Sequence, residues 1–332
     1  MSRSIFVVVL AVLTVFAAPV AADDAGTNQG FSEADRQIMK GDNLYYDGDY
    51  YRALSAYKDF LWDYSDDPRA DRVRLKMAWV YYAAGEHRDA ARVLDRLAEE
   101  RAEDQTGLWA RQYLGEVARD ANRLSLARNS FEGLLDLCRP RLEEADEETI
   151  DPDVDNCLEL TARARLALAD VQAASHNFET AVEHLEKMPA YNGWDEEARE
   201  IADINRNLSV PSKSPALAGT LSIIPGVGHM YIGEWRNGLL AMLWNGIFIY
   251  GIVDSVMAGR IGQAVVIGLL ETIWYSGTIF GAVSGAHRYN RDAKRIVEDG
   301  IRGDIDRITS DDPWPTRFPT ENPTYLELEL EF

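Results

Sequence analysis

The sequence predicts an all-α protein in which a right-handed solenoid of about four helix hairpins precedes a short transmembrane helical bundle. Three observations support this fold class. Small and aromatic residues recur at a spacing of 37 residues between residues 34 and 208. Charged residues become rare between residues 216 and 287. A linker at 209–215, "SVPSKSP", contains two prolines and separates these two regions.

The first 22 residues have the composition of an export signal. Arg3 precedes 12 apolar residues, "IFVVVLAVLTVF", and the small residues "AAPVAA" follow. The apolar run is shorter than the roughly 20 residues that a membrane-spanning helix needs. We therefore expect a signal peptide over 1–22 that is removed before Asp23, with the repeats exported to the periplasm of a bacterial cell envelope. No cysteine directly follows the apolar run, so a lipid anchor is not expected.

The chain is acidic, and most of the acidity belongs to the repeats. Of 332 residues, 55 are acidic and 34 are basic, which gives a formal net charge of −21. Residues 23–208 contain 41 of the acidic and 23 of the basic residues, a net charge of −18. Because nucleic-acid binding needs a basic surface, no nucleic acid is expected as a partner. A solvated helical surface and a docking face for a basic protein both fit this charge.

The recurring positions have the residue types of a helix hairpin. Gly48 recurs as Gly85, and Tyr57 recurs as Leu94, each 37 residues later. A fourth copy is displaced by 54 residues, because 17 extra residues precede it. Two slots hold small residues, which would let neighbouring helices approach closely. These are Gly41, Ala78, Gly115 and Ala169 in the first helix of each hairpin, and Ala53, Ala90, Ala127 and Ala181 in the second.

This pattern, over residues 31–208, resembles the tetratricopeptide repeat. It is most similar to the repeats of bacterial envelope proteins, such as the small lipoprotein of the barrel-assembly machinery and the periplasmic coordinator of the Tol–Pal system. The resemblance implies a protein-binding scaffold without catalytic activity. Partners of a solenoid usually bind its concave face, where the resemblance places Tyr45, Tyr46, Trp79, Tyr82, Glu116 and Arg119. A second interpretation, in which the aromatic rings only cover the core between repeats, stays open.

The two cysteines of the chain, Cys138 and Cys157, flank the stretch "RPRLEEADEETIDPDVDN", in which the 17 extra residues lie. In an oxidising compartment they can form a disulfide, and two free buried thiols are the alternative. Two thiols with no histidine nearby are too few for a closed zinc site. The acidic loop also lacks the D-x-[DN]-x-[DN]-G pattern of a calcium loop. We therefore expect neither a metal nor a cofactor.

Three apolar segments follow the linker. Residues 238–257 and 261–286 are each long enough to cross a bilayer as a helix. Residues 216–232 are fewer, and Pro225 with Gly226 breaks them in the middle. This break lacks the lysine of a phosphate-binding loop and the G-x-S-x-G of a nucleophile elbow. We therefore interpret it as a helix break whose free backbone groups are buried in protein.

The stretch "PGVGHMYIG" and the long span after it resemble the two-transmembrane-helix domain family and a related group of bacterial proteins of unknown function. The resemblance extends over roughly residues 215–290, and the proline and the third apolar segment depart from the two-helix pattern. It implies a membrane hairpin, often with an interaction role, and supplies no reaction. The motif residues are Pro225, Gly226, Gly228, His229, Tyr231 and Gly233.

Ionisable residues inside apolar segments are costly and are therefore functional candidates. Here they are His229, Asp254 and Glu271. Two of them also have a structural interpretation, in which His229 caps a broken helix and Asp254 reaches interfacial water. Glu271 lies ten residues into its span, and its role would be to pair inside the hairpin or to line a polar path. The last span contains two overlapping G-x-x-x-G motifs, which would close the hairpin or form a homodimer. Their residues are Gly277, Gly281 and Gly285.

Basic residues after the last span predict its orientation. Arg288, Arg291, Lys294 and Arg295 would remain in the cytoplasm. With exported repeats this requires three crossings, so residues 216–232 are expected to span the membrane as a kinked segment. The rest of 288–332 is predicted to form a juxtamembrane helix, a proline-rich linker and a strand-like end, "TYLELELEF". This end would pair with a sheet edge, or it would act as an assembly signal like that of outer-membrane barrels.

These features together predict a non-enzymatic envelope scaffold. The repeats would bind a protein partner, and the apolar segments would anchor the chain in the lipid of the inner membrane. One alternative is a component of a membrane transport or enzyme complex that uses His229, Asp254 and Glu271. A second alternative is an outer-membrane assembly factor.

Overall fold

The structure is a computed structural model that describes residues 32–145 and 152–310. In this part of the chain all regular structure is α-helical. The export signal, most of the acidic loop and the strand-like C-terminal end fall outside the described residues. The helices are α1 (Glu33–Tyr46), α2 (Tyr50–Asp63), α3 (Ala70–Ala83), α4 (His87–Glu100), α5 (Gln105–Asp120), α6 (Leu124–Glu143), α7 (Pro152–Ala174), α8 (Phe178–Glu186), α9 (Trp194–Asn205), α10 (Pro215–Leu221), α11 (Val227–Tyr231), α12 (Trp235–Met257) and α13 (Ile261–Ile308).

The first eight helices form four consecutive hairpins, and α9 packs on the last of them. The solenoid predicted from the repeat is confirmed. The repeat positions that hold small residues permit close packing, as predicted. A Cβ on Gly41 would overlap the ring of Tyr57, and a Cβ on Gly115 would overlap the ring of Phe131. Both rings are fully buried. Each glycine therefore makes room on the first helix for an aromatic ring of the second helix.

The turns between hairpin helices follow from local sequence. Ser32 begins α1 with a capping box, in which its hydroxyl accepts from the backbone N–H of Asp35. Gly48 and Gly85 end their turns with φ near +76° and +77°, a left-handed conformation that glycine adopts without steric cost. The spacing of these two glycines is therefore the spacing of the hairpin turns.

Cys138, near the end of α6, and Cys157, near the start of α7, form a disulfide with their Cα atoms 5.2 Å apart. Both residues are fully buried in the core that α6 and α7 share. The bond ties together the two helices that the acidic insertion connects.

Residues 222–226 form a turn that reverses the chain between α10 and α11. The backbone N–H of Lys213 donates to Oδ1 of Asn290 at 2.7 Å. Ten residues later, the carbonyl of Ile223 accepts from the Tyr275 hydroxyl at 3.0 Å. After the turn, Ile232 has come back to Gly285. The chain therefore runs along α13 from the level of Asn290 to that of Tyr275, about four helical turns, and then returns to the level of Gly285.

This path contradicts the prediction that residues 216–232 cross a membrane. A crossing segment would place its two ends at opposite ends of α13, whereas here both ends lie near residues 285–290. The Pro225-Gly226 break indicated correctly that the helix ends. It did not indicate that the chain reverses there, because a helix break is compatible with a kink or with a return.

Helices α12 and α13 form an antiparallel hairpin. Its register is given by Trp244 beside Trp274, with ring centroids 6.1 Å apart, and by Gly251 beside Ile267. Both helices are long and apolar enough to cross a membrane. Only 17% of the most apolar stretch of α12, and 6% of that of α13, is buried inside the protein. Most of their apolar surface therefore faces away from the rest of the protein.

Helix α13 continues without a break for 48 residues. The part of α13 beyond residue 287, where the sequence predicts a juxtamembrane helix, extends beyond the hairpin and reaches the solenoid. There Ile301, Ile305 and Ile308 are buried in the core formed by α7, α8 and α9. One helix thus belongs to both regions.

Candidate protein-binding surface and polar groups of the hairpin

The first helices of successive hairpins, α1, α3, α5 and α7, form one side of the solenoid, here called the inner surface. Along it α3 contacts α5, and α5 contacts α7. Side-chain bonds also bridge neighbouring first helices, since Lys76 Nζ binds Asp42 at 2.7 Å and Trp79 Nε1 donates to the Tyr45 hydroxyl at 2.9 Å. All six candidate residues of the sequence lie on these helices, but they differ in exposure.

Exposed tyrosines are concentrated at the first turn, in the stretch "YYDGDYY". Tyr46 is 63% exposed and Tyr51 is 84% exposed. The Tyr45 ring lies 5.5 Å from that of Tyr46 and 6.0 Å from that of Tyr50. These four rings are called the tyrosine cluster below. Tyrosine offers a large apolar face with a polar tip, which suits a protein interface.

Trp79 does not belong to the exposed part of this surface. It is only 7% exposed, and its indole packs against the rings of Tyr82 at 5.3 Å and Tyr113 at 5.7 Å. The interpretation as core therefore applies to Trp79. Tyr82 is half-buried, and its hydroxyl donates to Asp120, with burial raising the pKa of this phenol.

Glu116 and Arg119 lie in a partly buried ion network instead of on an open face. Arg119 contacts Glu116 at 2.7 Å and Asp170 at 3.8 Å. Burial raises the pKa of the Glu116 carboxyl, and the nearby Arg119 opposes that rise. The network therefore stabilises the contact between α5 and α7, and little of it is open to a partner.

This network extends to a residue that the sequence analysis missed. Arg302 of α13 donates to Asp170 at 2.9 Å, so Asp170 is paired with arginines from two helices. The end of α13 thereby covers the inner surface at the fourth hairpin. The spacing of Ile301, Ile305 and Ile308 could have indicated an amphipathic helix end, although not what it packs against.

The glycines of "PGVGHMYIGEWRNG" permit close contacts of backbone with backbone. Gly226 has φ near +85° and lies against the carbonyl of Gly238. Gly228 lies against the Ala218 carbonyl and the Ser222 hydroxyl. Tyr231 accepts at its hydroxyl from the backbone N–H of Ser214 at 3.0 Å. The motif therefore closes α10 and α11 into a compact reversal.

Two glycines of α13 pack against the segment that contains α10 and α11. A Cβ on Gly281 would lie 3.1 Å from the His229 ring, and Gly285 is covered by Ile232. The face predicted to close the hairpin or to form a homodimer is thus used inside the chain at these two positions. Gly277 has no such neighbour among the described residues.

The three ionisable candidates of the apolar region are not brought together. His229 Nδ1 lies 3.2 Å from Glu234 Oε2 at one end of the hairpin, and Asp254 pairs with Arg260 at the other end. Glu271 lies between these ends, and its buried Oε2 has no hydrogen-bond partner. A single site built from these three residues is therefore not formed.

Two comparisons with known proteins give matches. Residues 44–110 match the tetratricopeptide repeat family. Among solved structures, the chain is similar to a putative kinesin light chain with nearly identical TPR-like repeats from Podosopora anserina, at 14% identity and a TM-score of 0.36, with 70% of this chain and 93% of that chain covered. A comparison with curated proteins finds no match.

Proposed function

We propose that this protein is a non-enzymatic scaffold, anchored in a bacterial envelope membrane, whose repeats bind a protein partner through the tyrosine cluster. Tetratricopeptide repeats generally mediate binding between proteins, so the general role follows from the repeat fold. The observation that supports the specific surface is the asymmetry of the inner surface. At the first hairpin, Tyr46 of this surface and the neighbouring Tyr51 at the start of α2 are exposed, whereas the last hairpin is covered by α13. The partner therefore binds at the N-terminal end.

Anchoring is supported by the exposed apolar surface of the hairpin. Helix α12 has 23 residues, which corresponds to about 35 Å at about 1.5 Å per residue, and a bilayer core is about 30 Å thick. Ile273 and Phe280 are 72% and 74% exposed. Exposed side chains of this size over two neighbouring helices need lipid or another protein to cover them. The proposed relation to the two-transmembrane-helix family fits such a hairpin.

The path of the chain supports a proposal about which parts share a side of the membrane. Both ends of α10–α11 lie at the same end of α13, so the hairpin crosses twice, and the repeats share a side with residues 288–310. We place this side in the periplasm, because a disulfide between Cys138 and Cys157 is stable in an oxidising compartment. The basic residues of α13 that follow its apolar part oppose this placement, but a large exported domain translocates largely regardless of its charge.

Site-specific photocrosslinking tests the proposed binding surface. A photoreactive amino acid replaces Tyr46 in one variant and Trp62 in the matched control. Both side chains are exposed, at 63% and 87%, but Trp62 lies at the far end of α2 from Tyr51, outside the tyrosine cluster. In native membranes, position 46 should give a discrete protein adduct that position 62 does not give. Equal adducts from both positions, or none from position 46, would contradict the proposal.

A further inference from the structure

The two ends of the hairpin differ in charge. At the end near the solenoid, cationic side chains surround the start of α10, the start of α12 and the part of α13 that leaves the hairpin. They are called the basic collar: Lys213, Arg236, Arg288, Arg291, Lys294 and Arg295. At the opposite end, Arg260 is the cation of the connecting turn, and it pairs with Asp254 at 2.7 Å. A protein with a net charge of −21 thus concentrates cations at one level.

Only part of the collar is neutralised by carboxylates. Arg288 pairs with Glu234 at 3.0 Å, and Arg295 lies 3.8 Å from Asp299. Asp292 is a further exposed carboxylate of the collar. Within the described residues, the structure gives no ion pair for the other four cations, which are Lys213, Arg236, Arg291 and Lys294. The collar therefore keeps unneutralised positive charge.

Aromatic side chains lie at the same level as the collar. Lys213 Nζ is 4.9 Å from the Tyr231 ring and 5.8 Å from the Tyr289 ring. Trp235 is 59% exposed, and Arg236 lies over it at 5.8 Å. Tyrosine and tryptophan are enriched where a membrane meets water. Exposed apolar residues, Leu239 and Leu243, follow directly on α12. The collar thus borders the apolar surface.

We propose that the basic collar binds the headgroups of anionic phospholipids. This inference rests on the proposed insertion of the hairpin, because only then do the cations lie in the headgroup layer. From 288 to 295, α13 rises by about 10 Å, and headgroups occupy about 5–8 Å on each side of a bilayer core. Each cation that lies near an anionic membrane surface strengthens binding to that surface by about fivefold. The adjoining apolar face favours a lipid over free phosphate or a nucleic acid.

The test uses the full-length chain, purified in a neutral detergent and examined by native mass spectrometry. Equimolar phosphatidylglycerol and phosphatidylcholine with the same acyl chains are added. We expect adducts with phosphatidylglycerol to predominate by tenfold or more, on the order of the attraction of two or more cations. The combined variant Lys213→Gln, Arg236→Gln, Arg291→Gln and Lys294→Gln should lose that preference. Arg260→Gln, at the other end, is the matched control and should keep it.

The outcomes separate the collar from the anchor. Equal binding of both lipids to the unchanged chain would overturn the collar, as would equal loss of preference in the Arg260→Gln control. Inorganic phosphate is added in a further arm, and displacement of the lipid by phosphate at equal concentration would also overturn the lipid assignment. Extraction of the chain from native membranes by alkaline carbonate tests the anchor separately. If carbonate releases the chain, the proposed function fails regardless of the lipid result.

Discussion

The solenoid and the hairpin are both helical, but they place their large side chains oppositely. In the solenoid, Tyr57, Phe60 and Phe131 are fully buried. In the hairpin, Tyr250 and Phe280 are more than 70% exposed. The difference shows that helical periodicity alone does not determine what a helix packs against. The solenoid provides its own apolar environment, while the hairpin needs one from outside.

The two regions also use glycine differently. Gly41 and Gly115 make room for an aromatic ring, so the contact is between a side chain and a backbone. Gly226 and Gly238 bring two backbones together, which is typical of close packing inside a membrane. The same residue type therefore serves ring packing in water and backbone packing in the region proposed to lie in lipid.

The largest expected effect sharpens the first contrast. Phe131→Ala removes a fully buried ring of the solenoid and should lower the free energy of unfolding by about 3–5 kcal/mol. Phe280→Ala, at a 74% exposed position, should change it by about 0.5 kcal/mol or less. Thermal unfolding of the full chain in detergent, followed by circular dichroism, measures both. Similar losses for both variants would show that Phe280 packs inside the protein.

Removing the disulfide should come next. Cys138 and Cys157 are 19 residues apart, and opening such a loop costs about 3 kcal/mol in the chain-entropy treatment. The double substitution to alanine should therefore lower the unfolding temperature of the solenoid. In the native chain, a thiol reagent should react only after reduction. Alkylation of both cysteines without reduction would contradict the bond.

The repeat region could be predicted from sequence because its packing is local and periodic. Gly41 and Gly115 recur in register with the rings that they accommodate, so one copy validates the next. The reversal at Pro225 could not be predicted, because its direction depends on contacts of Lys213 and Ile223 with residues 52–77 positions away. The same holds for Arg302, which reaches Asp170 across 132 residues. Spacing patterns do not report such distant pairs.

The stability of the solenoid is expected to depend on pH through His184 of α8. Burial, with Arg165 nearby, lowers the pKa of His184 from 6.5 to about 4. Between these values the unfolded chain binds more protons than the folded chain. The contribution of His184 to the free energy of unfolding is therefore fully present above pH 6.5 and falls as the pH is lowered towards 4.

The expected loss at the acid end is about 2 kcal/mol after allowance for partial solvent exposure. Urea unfolding at a series of pH values measures it. In His184→Gln the slope over this window should be shallower than in the unchanged chain. His287→Gln, at an exposed position of α13, is the matched control and should keep the slope. An unchanged slope in His184→Gln would refute the assignment to this imidazole.

The smallest effect concerns the contact that joins the two regions. Arg302→Gln removes one partner of the buried Asp170 carboxylate and should destabilise the docked end of α13 by about 1–2 kcal/mol. Arg295→Gln breaks an ion pair whose side chains are 78% and 62% exposed and should have almost no effect. Hydrogen exchange of residues 297–308 reports the docking. Equal protection in both variants would show that the isoleucines alone hold α13 in place.

The most direct test of the proposed two-crossing arrangement is cysteine labelling from the periplasmic side of the membrane. Ser212→Cys, Ala258→Cys and Gly300→Cys each introduce one thiol at an exposed position, while the native cysteines stay paired. A membrane-impermeant maleimide should label positions 212 and 300 in spheroplasts, and position 258 only after permeabilisation. Labelling of position 212 with protection of position 300 would contradict this arrangement, since the repeats and the end of α13 would then lie on opposite sides.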